Sequence, residues 1–549
     1  MGRRGEFPLP PMFHSIGCDD QVDLLKRGEF NHLNRTHNLR RADAAAGNGL
    51  PRPNWLAREL SESGLWKITL HYHGWAWHLA VAANMGDQDA LPLLRHYILD
   101  WISECDISRL GSGNLIWNAF AVSTRLTWWI RTLEELGDTQ RAALGDLPDQ
   151  MLASMYRQTD HLSRHIEWDL RANHVLRDAV GLAWAGRYLS GPSADQWLKQ
   201  ATQIAVDQVA EQVLSDGGHF ERTPMYHLHV MEDVLSLAML LTEDAARRQM
   251  RDAWTAMADY LAGVLDPNQN IPLLNDGGQH AVCEPDVMLD YGALIGVTQR
   301  PVRQACRHFE QTGLMTWHGD PWTVFFDVGP VGPDEQPGHT HADSLTLDCH
   351  FAGLRVFTDP GTYDYCTTDR RAYDRSTTAH NTVAVDGRNS SEVWGTFRVA
   401  DRAYPCEVEF RDHGDAAEFA AAHDGYQKLS GQPLHHRRVN IENAIDGRAA
   451  ILRIRDQVRG SAFHSLSGGF LLDPMWDVSV ESSGWQLVCE NVRLKVRVTA
   501  PEQTQFDVVQ RPLHDQYGHE VMTQRLEWTW VGALPFEIQV EVFQSHDSS

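Results

Sequence analysis

The sequence predicts an α+β protein built from a helical N-terminal half and a C-terminal antiparallel β-sandwich, and three observations carry that expectation. The chain has 549 residues, 42% of them apolar and 22% charged, enough to bury more than one sizeable core. From Trp55 to about Gly313 the apolar residues recur at helical spacing, and after His318 the period changes to two. A short binding module and a disordered chain are both excluded. The expected organisation is an arm over 1–54, a helical domain over 55–316 and a sandwich over 317–549.

Taken in order, the arm carries Pro8, Pro10 and Pro11 and a polar run, which suit a segment wrapped on a core. The helical half is dense in tryptophan, with Trp66, Trp75, Trp77, Trp101, Trp117, Trp128 and Trp129 close together. Most of these read as core, with one or two as platforms for sugar rings. In RANHVLRDAVGLAWAGRYL, Ala172, Val175, Leu176, Ala179 and Ala183 form one apolar stripe, with Gly181 and Gly186 permitting close helix contact. In YHLHVMEDVLSLAMLL, Met231, Val234, Leu235, Ala238 and Leu241 do the same behind Pro224, a residue suited to a first helical turn. Polar groups opening these helices are expected to project from a rim into a shared cleft. In the sandwich half, SLTLDC, TVAVDG and FEIQVEVF alternate apolar and polar residues, and Asp-Gly and Gly-rich breaks between such runs suit antiparallel turns.

Charge and cysteine usage narrow the function. A net charge of −25 repels nucleic acid and anionic membrane. The same sign opposes a polyanionic substrate at long range, so such a substrate requires a cleft that overrides the field. Eight scattered cysteines form no zinc knuckle or redox pair and read as reduced thiols. No run reaches the roughly 20 apolar residues of a membrane span, and MGRRGEFPLPPMF lacks the apolar core of a signal peptide. The expectation is a cytoplasmic protein, or a secreted or periplasmic one if this chain is a piece of a longer one. Oligomeric state stays open.

Four polar clusters carry the chemistry: RANHVL, DGGHFERTPMYHLH, PGHTHADSL and DPGTYDYCTTDRRAYDRSTTAHNTV. Each alone has an ordinary explanation. Asn173 and His174 suit a helix cap, Tyr226 a half-buried tyrosine, and His339 and His341 alternating strand residues. Together they suit β-elimination, in which a proton leaves the carbon next to a carboxylate and the oxygen substituent one carbon further departs. Such a site needs donors aimed at the carboxylate. It also needs a base and an acid, and one tyrosine serves as both if neighbouring cations lower its pKa from about 10.

The chain resembles the heparinase II/III family of polysaccharide lyases. The resemblance rests on LHYHGW, the Asn173–His174 pair, DGGHFERTPMYH, IPLLNDGG, PGHTHADSL, TDPGTYDY and STTAHNTVAVDGR, in that order over roughly residues 55 to 400. It implies an (α/α) toroid followed by the sandwich, and cleavage of a uronic-acid polysaccharide: a glycosaminoglycan such as heparosan, hyaluronan or chondroitin, or alginate. The products would carry 4,5-unsaturated uronate ends. It assigns Asn173 and His174 to the uronate carboxylate, with His174 also an alternative base, and makes Tyr226 the general base and acid. His339 becomes a second carboxylate-neutralising or proton-handling group, with Tyr365 as its partner tyrosine, although Tyr363 and Tyr373 lie close by. It also implies zinc, mainly structural, on His341, Asp359 and His380, and no organic cofactor. Among several arginines, Arg222 and Arg375 are the expected ligands for substrate carboxylate or sulfate. Three alternatives remain. One is a hydrolase using carboxylates among Asp216, Glu221 and Asp276. Another is an iron site on HTHAD. The third is a non-catalytic protein of a bacterial exopolysaccharide system.

Overall fold

A computed structural model describes residues 3–11, 18–41, 49–56, 60, 64–109, 113–444 and 449–545. The helical half holds Gly74–Asn84, Ala90–Glu104, Ala119–Glu135, Leu147–Arg164, Ala172–Tyr188, Pro192–Gln212, Pro224–Leu240 and Asp244–Val264 as its longer helices. Successive pairs pack against each other, as Ala172–Tyr188 does on Pro192–Gln212 and Pro224–Leu240 on Asp244–Val264. Both apolar stripes named above are buried throughout. Gly181 earns its place by proximity: a Cβ there would stand 2.7 Å from the Ser123 Cα of the neighbouring helix. Pro224 occupies the first turn of its helix.

The remainder is antiparallel sheet. A five-stranded sheet runs in chain order from Cys306–Phe309 to Leu354–Phe357, an eight-stranded sheet has Pro405–Asp412 and Asp477–Glu481 as its edges, and a four-stranded sheet contains Val383–Val385. Trp317, Val324 and Leu347 of the first, Phe419, Val439 and Val540 of the second, and Phe470 and Leu526 of the third share one core. The alternation read in FEIQVEVF is present, with Phe536, Ile538, Val540 and Val542 inward.

The boundary differs from expectation. Sheet begins at Cys306 and not at 317, because Cys306–Phe309 pairs with Leu314–His318 as a hairpin. That hairpin straddles the predicted division, and its Phe309 and Leu314 pack into the helical core. The arm is also more structured than a wrapped strap, with a helix Cys18–Arg27 and a hairpin over Glu29–His32 and Arg35–Asn38. Seven cysteines are unpaired; the side chain of Cys18 lies outside the described residues. Among the described residues no helix is long and apolar enough to cross a membrane.

Candidate active site

Tyr226 is the third residue of the helix Pro224–Leu240, so its side chain leaves the rim of the helical half. There it meets the sandwich. Its ring stacks on His339, centroids 3.9 Å apart and planes 24° from parallel. Its hydroxyl lies 2.9 Å from that of Tyr365, which lies 2.6 Å from that of Tyr517. His339 comes from the loop between the strands Trp322–Asp327 and Leu347–Phe351, Tyr365 from the loop preceding the helix Asp369–Asp374, and Tyr517 from the turn between Gln505–Leu513 and Val521–Ala533.

Asp276 orders this junction. Its carboxylate takes both terminal nitrogens of Arg371, His339 Nδ1 at 2.9 Å, His341 Nε2 at 2.9 Å and Thr362 Oγ1 at 3.2 Å. Its backbone N–H donates to the carbonyl of His339 at 3.1 Å. Burial alone would raise its pKa, but Arg371, His339 and His341 override burial and hold it well below the usual carboxylate range. Burial lowers His339 despite the Asp276 hydrogen bond, so its ring is neutral. A neutral imidazole beside a carboxylate donates through the shared nitrogen, which is Nδ1, and Nε2 is left as an acceptor. Glu221 Oε1 stands 4.0 Å from that Nε2, and burial pushes the Glu221 carboxyl up to about 8.

Asn173 opens the helix Ala172–Tyr188, after Arg171 and Ala172 with φ of 58° and 51°, and its buried Oδ1 has no hydrogen-bond partner. It lines a cavity of about 600 Å³ together with Tyr226, Tyr517, Arg177, His229 and Glu232. His174 faces a different neighbourhood: its Nδ1 pairs with Glu167 at 2.7 Å and its ring lies 5.0 Å from Phe120. The structure therefore gathers Asn173, Tyr226, His339 and Tyr365 about one junction and leaves His174 at its edge. Of the three neighbouring tyrosines, Tyr365 faces Tyr226, while Tyr363 lies against His514 and the buried hydroxyl of Tyr373 has no partner.

Three expectations are corrected. The phenol of Tyr226 is raised well above 10, by burial first and then by Tyr517 and Asp276, with only the Tyr365 hydrogen bond opposing. The stacked His339 does not lower it, because burial lowers the imidazole's own pKa and leaves that ring neutral. Arg222 spends its donors on the carbonyls of Thr312, Phe220 and Gln311. Arg375, fully buried, spends its own on Thr340, Trp394, Gly395 and Arg398. Both hold loops in place of substrate. Arg375→Ala is accordingly expected to lower the melting temperature by removing four backbone contacts, with loss of folded protein as the measured effect and no selective rise in KM.

The hydrolytic alternative lacks its geometry. Asp216 caps the Gln311–Thr312 turn, and Asp276 and Glu221 are both buried on either side of the His339 ring, which occupies the space a glycosidic bond would need between them. In HTHAD, His339 and His341 both turn to Asp276, and among the described residues no group of three His, Cys, Asp or Glu side chains is placed to hold a metal. For His341, Asp359 and His380 the fit is one of donor type and not of position. His380 Nδ1 bonds Asp359 Oδ2 at 2.8 Å, the two imidazole centroids lie 5.2 Å apart, and His341 Nδ1 and His380 Nε2 are buried without partners. Two orphaned imidazole nitrogens beside a carboxylate are the donor types zinc takes.

Sequence reasoning passed over Tyr517 and Arg177, left Arg371 among several arginines that could meet carboxylate or sulfate, and offered Asp276 only as a hydrolase carboxylate. Arg177 was within reach of it: four residues after Asn173 it shares that residue's helix face, and it pairs with Asp233 at 3.0 Å beside the cavity. Tyr517, in HDQYGHE, carries no local signal.

Two family models match the chain in succession, one described as Heparinase II/III N-terminus over residues 51–288 and one as Heparinase II/III-like, C-terminal, over residues 301–539. A heparin-sulfate lyase of Bacteroides thetaiotaomicron is 22% identical over 408 residues, covering 66% of this chain and 57% of that protein. An FtsZ-localized protein C of Caulobacter vibrioides is 26% identical over 178 residues, covering 32% of this chain and 28% of that protein. A crystal structure of Heparinase III superposes with a TM-score of 0.75 at 17% identity, covering 97% of this chain and 86% of that one. That likeness extends to the order of the two halves, helical then sheet-rich.

Proposed function

The chain belongs to the heparinase II/III family, and from that premise we propose that it is a polysaccharide lyase acting on a uronic-acid polymer by β-elimination. The observation that carries this reading is the junction of Tyr226 and Tyr365 with His339, a phenol pair and a neutral imidazole from two halves of the fold beside one cavity. Asn173, which lines the cavity, would neutralise the uronate carboxylate through its amide donors, with His174 assisting from the rim. Tyr226 exchanges a proton with C5 and with the departing O4. Where those two groups lie on one face of the sugar, Tyr226 handles both; for the C5 epimer, His339 through its free Nε2, or His174, takes the C5 proton.

The cavity wall is compatible with an anionic ligand despite the net charge of −25. Arg177 is paired with Asp233, and burial pushes the Glu232 carboxyl up to about 8, so this stretch carries no net negative charge at pH 7. Heparosan, hyaluronan, chondroitin and alginate are the polymers to test. Incubation with each, followed by ultraviolet absorbance, is expected to reveal an unsaturated uronate from at least one. Binding without any rise in absorbance would replace this reading with a non-catalytic one.

The zinc proposal goes with it. His341, Asp359 and His380 would hold the ion, which would supply a cross-link among three sandwich segments below His339. Elemental analysis is expected to find about one zinc per chain, lost in His380→Ala; an equal metal content in both proteins would remove the site.

A further inference from the structure

Trp66, Trp75, Trp101, Trp117 and Trp129, expected from the sequence as core or as sugar platforms, are all buried. Exposed aromatic rings do reach the candidate site, from a short hairpin of the sandwich half in which Val393–Trp394 pairs with Arg398–Val399. Trp394 is 51% exposed and Phe397 43%. The Phe397 ring centre lies 6.0 Å from that of His339 and 5.1 Å from that of Tyr365, with planes 82° and 67° apart, and the Arg371 guanidinium stands 5.8 Å from it. Phe397 thus carries the surface of the site outward from two of its proposed catalytic groups, and part of its ring stays in water.

The hairpin pairs with no other strand, and a two-stranded ribbon is marginal by itself. Two buried arginines hold it. Arg371 Nε and Nη2 donate to the Thr396 carbonyl at 3.1 and 2.9 Å. Arg375 Nη1 donates to the carbonyls of Trp394 and Gly395, both at 3.3 Å, and its Nη2 to that of Arg398 at 3.2 Å. Because Arg371 also binds Asp276, one guanidinium sets the hairpin and, through Asp276, the His339 ring. The rings are therefore held in place before any ligand arrives, which lowers the ordering cost of binding.

Trp394 and Arg398 stand directly opposite each other in the register, so their side chains leave the same face of the hairpin. Arg398 is exposed, and among the described residues its guanidinium has no carboxylate partner. An indole beside an unpaired guanidinium suits a pyranose that carries a carboxylate: the C–H face of the sugar lies on the ring and the carboxylate meets the planar fork. In a chain of net charge −25 this is a local cation beside the site.

We propose that the hairpin Val393–Val399 is a second uronate subsite flanking the one at which the bond is cleaved. Trp394 takes the face of the sugar, Arg398 takes its carboxylate, and Phe397 supports the polymer between that unit and His339. This rests on the lyase reading and adds to it a substrate contact outside both the family motifs and the cavity at Asn173.

The test uses the full chain and hexasaccharides of heparosan, hyaluronan, chondroitin and alginate, with affinity measured by calorimetry. The wild-type chain is expected to bind at least one of them. Arg398→Gln and Trp394→Ala are each expected to raise Kd for that hexasaccharide about tenfold, at unchanged melting temperature because both side chains are exposed. Arg398→Lys, which keeps the charge and loses the fork, is expected to weaken binding less than Arg398→Gln. The dependence of Kd on salt is expected to become shallower in Arg398→Gln and to keep its slope in Trp394→Ala. On the cleaved polymer the same two variants are expected to raise KM about tenfold with kcat within about threefold. An unchanged Kd in either variant, or no hexasaccharide binding by the wild-type chain, would overturn the subsite. The two readings fail separately: shifted Kd values without cleavage of any polymer would keep the subsite and remove the lyase, whereas cleavage with unshifted Kd and KM would keep the lyase and remove the subsite.

Discussion

Tyr226→Phe is expected to lower kcat on the responsive polymer by about 10²–10⁴-fold while leaving polymer affinity within a few-fold. The variant removes one oxygen and keeps the ring, so the stack on His339, 3.9 Å between centroids, survives and the helix start is unaltered. What disappears is the hydroxyl that, in the proposed reaction, would exchange protons with C5 and O4. Tyr365 does not replace it, because its hydroxyl is engaged with Tyr517 at 2.6 Å. Rates followed by absorbance of the unsaturated product and affinity measured by calorimetry separate the two quantities. A variant within tenfold of wild-type kcat would take Tyr226 out of the reaction and leave His339 or His174 to account for it.

Asp276→Ala is expected to have the second large effect, on stability and activity together. The substitution strands Arg371, which is buried at 1% exposure, and removes the acceptor shared by His339, His341 and Thr362. An uncompensated buried charge of this kind costs about 3–5 kcal/mol. His339 also loses the partner that fixes its tautomer, so residual folded protein is expected to turn over slowly. Asp276→Asn keeps the volume and separates the parts: it retains packing but not the anion, and is expected to remain folded at lower denaturant with activity still impaired. Because the folded pKa of this carboxyl is depressed, its contribution is fully present above the ordinary carboxylate value. It is lost only as pH falls through the lower folded one. Equal denaturation midpoints for wild type and Asp276→Ala would show that Arg371 is satisfied without it.

The resemblance to the lyase family located Tyr226, His339 and Asn173 because each sits in a long motif, and a motif is a local property of the chain. The arginines show where that reasoning stopped. Arg222, Arg371 and Arg375 are alike as sequence, yet one holds the Gln311–Thr312 turn, one locks Asp276 and one braces the 394–398 hairpin. Guanidinium chemistry suits carboxylates, sulfates and backbone carbonyls equally. Only the positions of the acceptors separate these uses.

The sequence by itself determined that helices precede sheet, since a period of 3.6 and a period of two are written in neighbouring residues, and it singled out the motifs whose side chains Tyr226, His339 and Tyr365 meet at the candidate site. The tertiary structure alone decided that sheet begins at Cys306, that Tyr517 joins Tyr226 and Tyr365 from 152 residues beyond the latter, and that Asp276 organises His339 from 63 residues before it. It also reversed the expected direction for the Tyr226 phenol, which burial raises. Periodicity and motifs are short-range, whereas hydrogen-bond partners and the loss of water around a titrating group are fixed only when distant segments close on one another.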